Sequence, residues 1–192
     1  STQILQQAPG YNSEQIGHEL TRMGTNGHEY LSGLAAKYSE GGSEQDWVVR
    51  LVAEAGEQMD FQNYIGVKAT AEEANRAGVY DPPAAAGNFV ALGITGEDGV
   101  RRAASYVEPI ETVKTWKINL ASDMDTAVTV AWENVASIPA KYGVYLIGGP
   151  AGPVDLRKTG SVVMASGSIG GLSLQMAVGL PDYLAAFLAP NL

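Results

Sequence analysis

The second half of the chain repeats a two-residue alternation of apolar and polar side chains. In TWKINL, Trp116, Ile118 and Leu120 alternate with polar neighbours, and the same period recurs around residues 128–132, 144–147, 154–156, 162–164 and 172–176. Successive side chains of a β-strand point to opposite faces, so this period gives each strand one apolar face. Polar or glycine-rich turns separate the segments and no helical period intervenes. The pattern predicts a mainly β protein, an antiparallel β-sandwich of the immunoglobulin-like kind.

The first part of the chain suggests three regions. Residues 1–45 are predicted to form a helical leader that ends in the linker SEGGSEQ, because Ile16, Leu20 and Met23 recur at helical spacing. Alternation begins at Trp47, so the sandwich is assigned to residues 46–178. Residues 179–192 are assigned to a tail, whose segment LPDYLAAFLAPNL (180–192) predicts a short C-terminal helix.

Composition limits the classes of partner. The chain of 192 residues carries a formal net charge of -9, which disfavours nucleic acid and anionic membrane surfaces. No apolar run is long enough to span a bilayer. Cysteine is absent, which excludes disulfides and thiolate-bound metals and is compatible with an exported bacterial protein. The start at Ser1, without Met, is expected to be a processed or excised end.

The order of the motifs resembles β-sandwich modules of large exported bacterial proteins. The motifs occur in the order DWVVRL, YIGV, YDPP, TWKINL, VTVAW, YGVYLI, VDLR and LSLQMAV. The last strand departs from the family pattern, because Leu172 stands where an aromatic residue is usual. The resemblance covers about two-thirds of the chain, from residue 47 to residue 178. It implies an immunoglobulin-like accessory or assembly module, at the cell surface or extracellular, and not a catalyst.

The two histidines do not form a recognisable metal motif. Each precedes a glutamate, as His18-Glu19 and His28-Glu29, but a zinc-protease helix needs a second histidine four residues after the first. Arg22 occupies that position. We therefore expect two solvated polar pairs on the leader. No serine lies in a nucleophile elbow, and no glycine-rich segment has the form of a phosphate-binding loop.

Acidic residues in two turns of the predicted sandwich are candidate cation ligands. Glu97 and Asp98 lie in GEDG, and Asp123 and Asp125 lie in ASDMDT. Calcium takes oxygen ligands from loops, so these four residues are candidate calcium ligands, although their spacing is not that of an EF-hand. A hydrolase acting through Asp98 and Asp125 is the alternative ranked last, because aspartate is common in turns for structural reasons. No other cofactor is expected.

Aromatic residues are the candidate binding groups. The three tryptophans are in phase with apolar neighbours, which predicts that they lie in the core. Tyr80 and Tyr142 lie in or near loops and could stack against a polysaccharide. Tyr183 and Phe187 belong to the apolar stripe of the tail, which must be buried on this domain or on a neighbour.

The leading hypothesis is a non-catalytic structural or interaction module that contacts neighbouring domains or subunits. Its basis is a full set of strand and turn motifs in a chain without a catalytic motif. The alternative is a carbohydrate-binding accessory module of a secreted enzyme, which depends on the loop tyrosines.

Overall fold

The computed structural model describes residues 43–81, 87–96, 98–166 and 169–191. The predicted leader up to residue 42, both histidines, Glu97 and the Pro82-Pro83 step lie outside these ranges. The described ranges contain eleven strands: β1 (Trp47–Ala55), β2 (Gln58–Val67), β3 (Val79–Tyr80), β4 (Val90–Thr95), β5 (Arg101–Val107), β6 (Val113–Ser122), β7 (Ala127–Glu133), β8 (Gly143–Ile147), β9 (Val154–Asp155), β10 (Ser161–Ser166) and β11 (Ile169–Gly179). Two helices, α1 (Ala71–Ala77) and α2 (Pro181–Leu188), accompany them.

All the strands belong to one sheet. Their order is β10-β7-β1-β2-β5-β4-β6-β11-β8-β9, and β3 pairs with β5. Every pairing is antiparallel except that of β2 with β5, which is parallel. The prediction of a mainly β protein is confirmed, but the expected pair of separate antiparallel sheets is replaced by one mixed sheet. The difference arises at β5, which was not predicted as a strand and which joins β2 to β4.

The sheet curls so that its apolar face is buried against itself. The rings of Trp47 on β1 and Trp116 on β6 meet edge to face, with centroids 5.9 Å apart, although three strands separate β1 from β6 in the sheet. Near the opposite ends of the strand order, the indole N–H of Trp132 on β7 donates to the carbonyl oxygens of Leu156 (2.9 Å) and Thr159 (2.7 Å). All three tryptophans are buried, as predicted. One apolar cluster therefore receives side chains from nearly the whole sheet.

No helix was predicted from the sequence at residues 71–77, where helix α1 lies. Thr70 caps it, and its hydroxyl oxygen accepts a hydrogen bond from the backbone N–H of Glu73 (3.2 Å). Arg76 and Glu72 form an ion pair one turn apart. The Thr-x-x-Glu spacing is a helix-start signal that is visible in the sequence. Its weak apolar periodicity explains the omission, since Ala74 is the only buried residue of this helix.

The tail forms the predicted helix and packs on its own sheet. Leu184 and Leu188 are buried against Ile147 of β8 and Ala177 of β11, on the face opposite the main core. Gly143 permits this approach, because a Cβ atom there would lie 2.7 Å from Cδ2 of Leu184. Of the two alternatives for the apolar stripe, docking on this domain therefore accounts for Leu184 and Leu188.

Several residues of the family-like motifs hold loops together. The Arg157 side chain donates to the carbonyl oxygens of Ile138 (3.0 Å), Pro139 (3.1 Å) and Tyr142 (3.2 Å). The Tyr142 hydroxyl donates to the carbonyl oxygen of Ile110 (2.8 Å). These contacts give VDLR and YGVYLI structural roles in connecting the strands.

The Trp132 contacts lead to a stability prediction. Trp132→Phe removes the indole N–H and leaves two carbonyl oxygens without that donor. Trp47→Phe removes an indole N–H that has no acceptor among the described residues, so it is the matched control for lost ring volume. We expect Trp132→Phe to lower the free energy of unfolding by about 1–3 kcal/mol more than Trp47→Phe, measured by urea denaturation. Equal losses would show that the Trp132 hydrogen bonds do not stabilise the curl.

Candidate binding groove

A groove of about 570 Å³ opens between helix α1 and the starts and ends of three strands. Four parts of the chain supply its walls, and their lining residues are Ala71, Ala74, Asn75 and Gly78 at α1, Thr95, Gly96, Asp98 and Arg102 at the turn between β4 and β5, residues 105–108 at the end of β5, and residues 114–117 of β6. Their side chains are mainly polar. The groove is therefore suited to a ligand with hydrogen-bonding groups rather than to an apolar one.

The charged groups of the groove leave one cation without a counter-ion. Arg102 donates from both terminal nitrogens to the two carboxylate oxygens of Asp98, at 2.8 and 2.6 Å. Hydrogen bonding to Arg102 holds the pKa of Asp98 well below its usual range. The Nζ atom of Lys114 lies 3.9 Å from Oε1 of Glu108. The exposed Lys117 has no ion-pair partner among the described residues. The lining thus carries a surplus positive charge in a strongly acidic chain.

Strand β4 loses one of its neighbours along part of its length. It pairs with β5 only at Ile94 and Thr95, because β5 then turns towards β2. Two side chains take the place of the missing strand at Leu92. An Asp60 carboxylate oxygen accepts a hydrogen bond from the backbone N–H of Leu92 (2.7 Å), and the Arg101 guanidinium donates to the Leu92 carbonyl oxygen (2.7 Å).

The surroundings of Asp60 fix this arrangement. Asn63, which is buried, donates to the second oxygen of Asp60 (2.7 Å), and Asp81 pairs with Arg101. Arg101 passes directly over Gly93, where a Cβ atom would lie 2.2 Å from its Nε. Burial raises the pKa of Asp60, and the nearby charge of Asp81 acts in the same direction.

The same geometry determines which backbone groups of β6 face the groove. Leu92 directs its N–H and C=O groups away from β6, so Leu92 and Leu120 form a non-hydrogen-bonded pair. The direction of these groups alternates along a strand. The backbone N–H and C=O groups of Lys117 therefore pair with those of Thr95. The same groups of Thr115 point to the side where β4 would lie if it extended beyond Thr95. Beyond Thr95 the chain turns back instead, with the Gly96 N–H donating to the Val100 carbonyl oxygen (3.1 Å).

The predicted calcium ligands do not come together as a site. Asp98 is engaged by Arg102, and Asp123 accepts a hydrogen bond from the backbone N–H of Phe89 in a different loop. Within the described ranges, no three histidine or acidic side chains are grouped so that they could hold a metal ion. The geometry gives no support to a calcium site on Asp98, Asp123 and Asp125, and Glu97 lies outside the described residues.

The predicted aromatic residues are found in different environments. Tyr80 is 65% exposed and Tyr183 is 55% exposed, so both rings are available to a ligand. Phe187 is partly buried against the cluster under α2. Tyr142 is only 3% exposed, and its hydroxyl is bonded inside the fold, which corrects the prediction that it contributes to a binding surface. None of these four residues lines the groove.

Comparison with known proteins finds no matching family model, no matching curated protein and no matching solved structure. No helix in the described part of the chain is long and apolar enough to cross a membrane. The groove and the exposed surfaces are therefore the features from which a function can be inferred. Lys114, Thr115 and Lys117 were not singled out in the sequence. Thr115 and Lys117 appear there only in the polar phase of TWKINL, and Lys114 directly precedes that segment.

Asp60 leads to a prediction about pH. A raised pKa means that the folded protein binds the Asp60 proton more tightly than the unfolded chain does. The contribution of Asp60 to the free energy of unfolding therefore falls as the pH rises from about 4 through the folded-state pKa. Asp60→Asn removes this titration, so we expect the variant to gain stability relative to the wild type between pH 4 and pH 7.

The control for this measurement is Asp98→Asn, which should behave in the opposite way. The pKa of Asp98 is lowered, so its contribution is present above its usual pKa and is lost on acidification. The wild type should gain stability relative to Asp98→Asn as the pH rises through that acidic range. Urea denaturation across pH measures both differences. A constant difference in the free energy of unfolding between Asp60→Asn and the wild type, across the whole pH range, would contradict a raised pKa for Asp60.

Proposed function

We propose that this protein is a non-catalytic interaction module of an exported bacterial assembly, and that it contacts neighbouring domains or subunits. We further propose that its groove receives a short extended segment of a neighbouring protein. Such a segment would lie beside β6 as a continuation of the line of β4. This is the β-strand addition mode of peptide recognition, in which main-chain hydrogen bonds supply affinity and side chains supply selectivity.

The observation that carries this proposal is the orientation of Thr115. Its N–H and C=O groups point to the groove side of β6, and no strand pairs with them there in the described part of the chain. Lys114 and Lys117 lie on either side of Thr115 in the sequence, and both line the groove. Lys114 is close to Glu108, whereas Lys117 has no ion-pair partner among the described residues. An extended segment with carboxylate side chains would satisfy both the backbone groups and the surplus charge.

The way the acidic side chains are used supports a non-catalytic role. Asp60 and Asp123 accept hydrogen bonds from backbone N–H groups, and Asp98 is held by Arg102. These carboxylates hold strand edges and turns in place. An immunoglobulin-like kinship and a cell-surface or extracellular location belong to the same proposal, and they rest on the order of the sequence motifs and on the absence of cysteine.

Binding of a defined peptide tests the proposal. A fluorescein-labelled peptide of alternating threonine and glutamate is titrated with the full chain, and binding is followed by fluorescence anisotropy. We expect saturable binding that Lys117→Glu weakens about tenfold, or about 1.4 kcal/mol, because the variant places a like charge beside the peptide. Lys158→Glu is the matched control, since it makes the same charge change at an exposed residue outside the groove.

A second peptide separates strand addition from simple charge attraction. Methylating alternate backbone nitrogens removes N–H donors and leaves the glutamate charges unchanged. We expect the methylated peptide to lose most of its affinity. Failure of the unmodified peptide to bind, equal binding of both peptides, or equal weakening by Lys117→Glu and Lys158→Glu would each count against the groove as a strand-addition site.

The alternative function, a carbohydrate-binding accessory module, has one favourable observation. Tyr80 and Tyr183 are both exposed, and sugars stack on aromatic faces. Affinity electrophoresis in gels containing soluble polysaccharides tests this alternative. It predicts retardation that Tyr80→Ala or Tyr183→Ala reduces severalfold, whereas Tyr64→Ala, a change at a partly buried tyrosine, serves as control. Unretarded migration across a broad polysaccharide panel removes this function.

A further inference from the structure

The two edges of the sheet differ in length and in protection. β9 has only two residues, and its Asp155 is paired with Lys158. β10 has six residues, SVVMAS, and among the described residues it pairs along one side only, with β7. It contains no charged residue and no proline. Natural edge strands are usually short, charged or interrupted by proline, because an open edge is a template for another strand.

The direction of the backbone groups of β10 follows from its pairing with β7. The backbone N–H of Trp132 donates to the carbonyl oxygen of Gly160 (3.2 Å), and the register continues with Val162 opposite Val130. Because hydrogen-bonded and non-hydrogen-bonded pairs alternate in an antiparallel ladder, Val162 bonds to β7 whereas Ser161 and Val163 direct their N–H and C=O groups to the open side.

Val163 combines an open backbone with an exposed side chain. Its side chain is 54% exposed, although Val162 packs against the core and Met164 is buried within it. The register shift between Val163 and Ala165 follows these residues, so Ser161, Val162 and Val163 keep a regular ladder. The open edge is therefore centred on three consecutive residues with regular strand geometry.

We propose that β10 is a self-association edge that pairs with β10 of a second copy of this chain. An antiparallel pair centred on Val162 would place Ser161 of each copy opposite Val163 of the other. Each of these two pairs would exchange two N–H···O bonds, since both residues direct their groups outward. The interface is isologous, as a two-fold axis requires.

The uncharged sequence favours a second copy over an unrelated partner. In a symmetric antiparallel pair, a charged residue near the axis lies close to the same charge on the other copy, which is destabilising. β10 contains no such residue, in a chain whose net charge is -9. Because the rest of the two copies repel each other, we expect association to strengthen as salt screens that repulsion.

Sedimentation velocity of the full chain at micromolar concentrations tests the proposal. We expect a monomer–dimer equilibrium whose dissociation constant rises at least about tenfold in Val163→Lys, because lysine on an edge strand opposes strand pairing. Val100→Lys is the matched control: Val100 is 40% exposed, lies in the turn between β4 and β5, and the change alters net charge equally. Its dissociation constant should remain within about twofold of the wild type.

Cross-linking tests the register independently of affinity. The chain has no cysteine, so introduced thiols are the only ones present. An equal mixture of Ser161→Cys and Val163→Cys proteins should form more disulfide-linked dimer than either protein alone, because the proposed register brings these two positions within disulfide reach. A monomeric wild type, equal effects of Val163→Lys and Val100→Lys, or no preference for the mixture would overturn the proposal. Lys117→Glu, which tests the groove, should leave dimerisation unchanged.

Discussion

A single sheet with one apolar face has to bury that face against itself, and the rest of this structure depends on that constraint. The strands pair in one continuous order, so in the described part of the chain no second sheet covers this face. Curling brings Trp47 against Trp116 and lets Trp132 reach the carbonyl oxygens of Leu156 and Thr159. The core therefore forms between distant parts of one sheet, and the hydrogen bonds of Trp132 connect segments that lie near opposite ends of the strand order.

Curling leaves part of β4 without a neighbouring strand, and charged side chains bond to the backbone groups exposed there. β5 cannot follow β4 along its length and also pair with β2, so the ladder between β4 and β5 stops after two residues on each strand. Leu92 would be left with unpaired backbone groups in the interior, which is unfavourable. Asp60 and Arg101 satisfy its N–H and C=O groups, at the expense of burying a carboxylate whose pKa is raised by that burial. A partly buried acid thus replaces part of a strand.

Strand periodicity was the most predictable feature, because it depends only on which side chains enter the core. The alternation around Trp116 and Trp132 identified β6 and β7, and the apolar stripe of the tail identified α2. β5 was missed because RRAASYV has little apolar alternation, and its place depends on distant pairing with β2 and β4. Tyr142 was misplaced for a related reason: loop position suggested exposure, whereas the acceptor that buries it, the Ile110 carbonyl, is 32 residues away. The groove could not be predicted, because the sequence TWKINL does not show that β4 ends opposite the middle of β6.

Both proposed interaction surfaces occur where the hydrogen bonding of the sheet stops. At Thr115 it stops because β4 turns back at Gly96, and at β10 it stops because the residues that the structure describes supply no further strand. The two openings differ in their electrostatics. Lys114 and Lys117 flank the first, so a partner there gains by carrying carboxylates, whereas the second has no charge to select against an identical strand. In a chain of net charge -9, a cationic opening attracts acidic partners generally, and an uncharged edge is a place where two copies can meet without opposing charges at the contact.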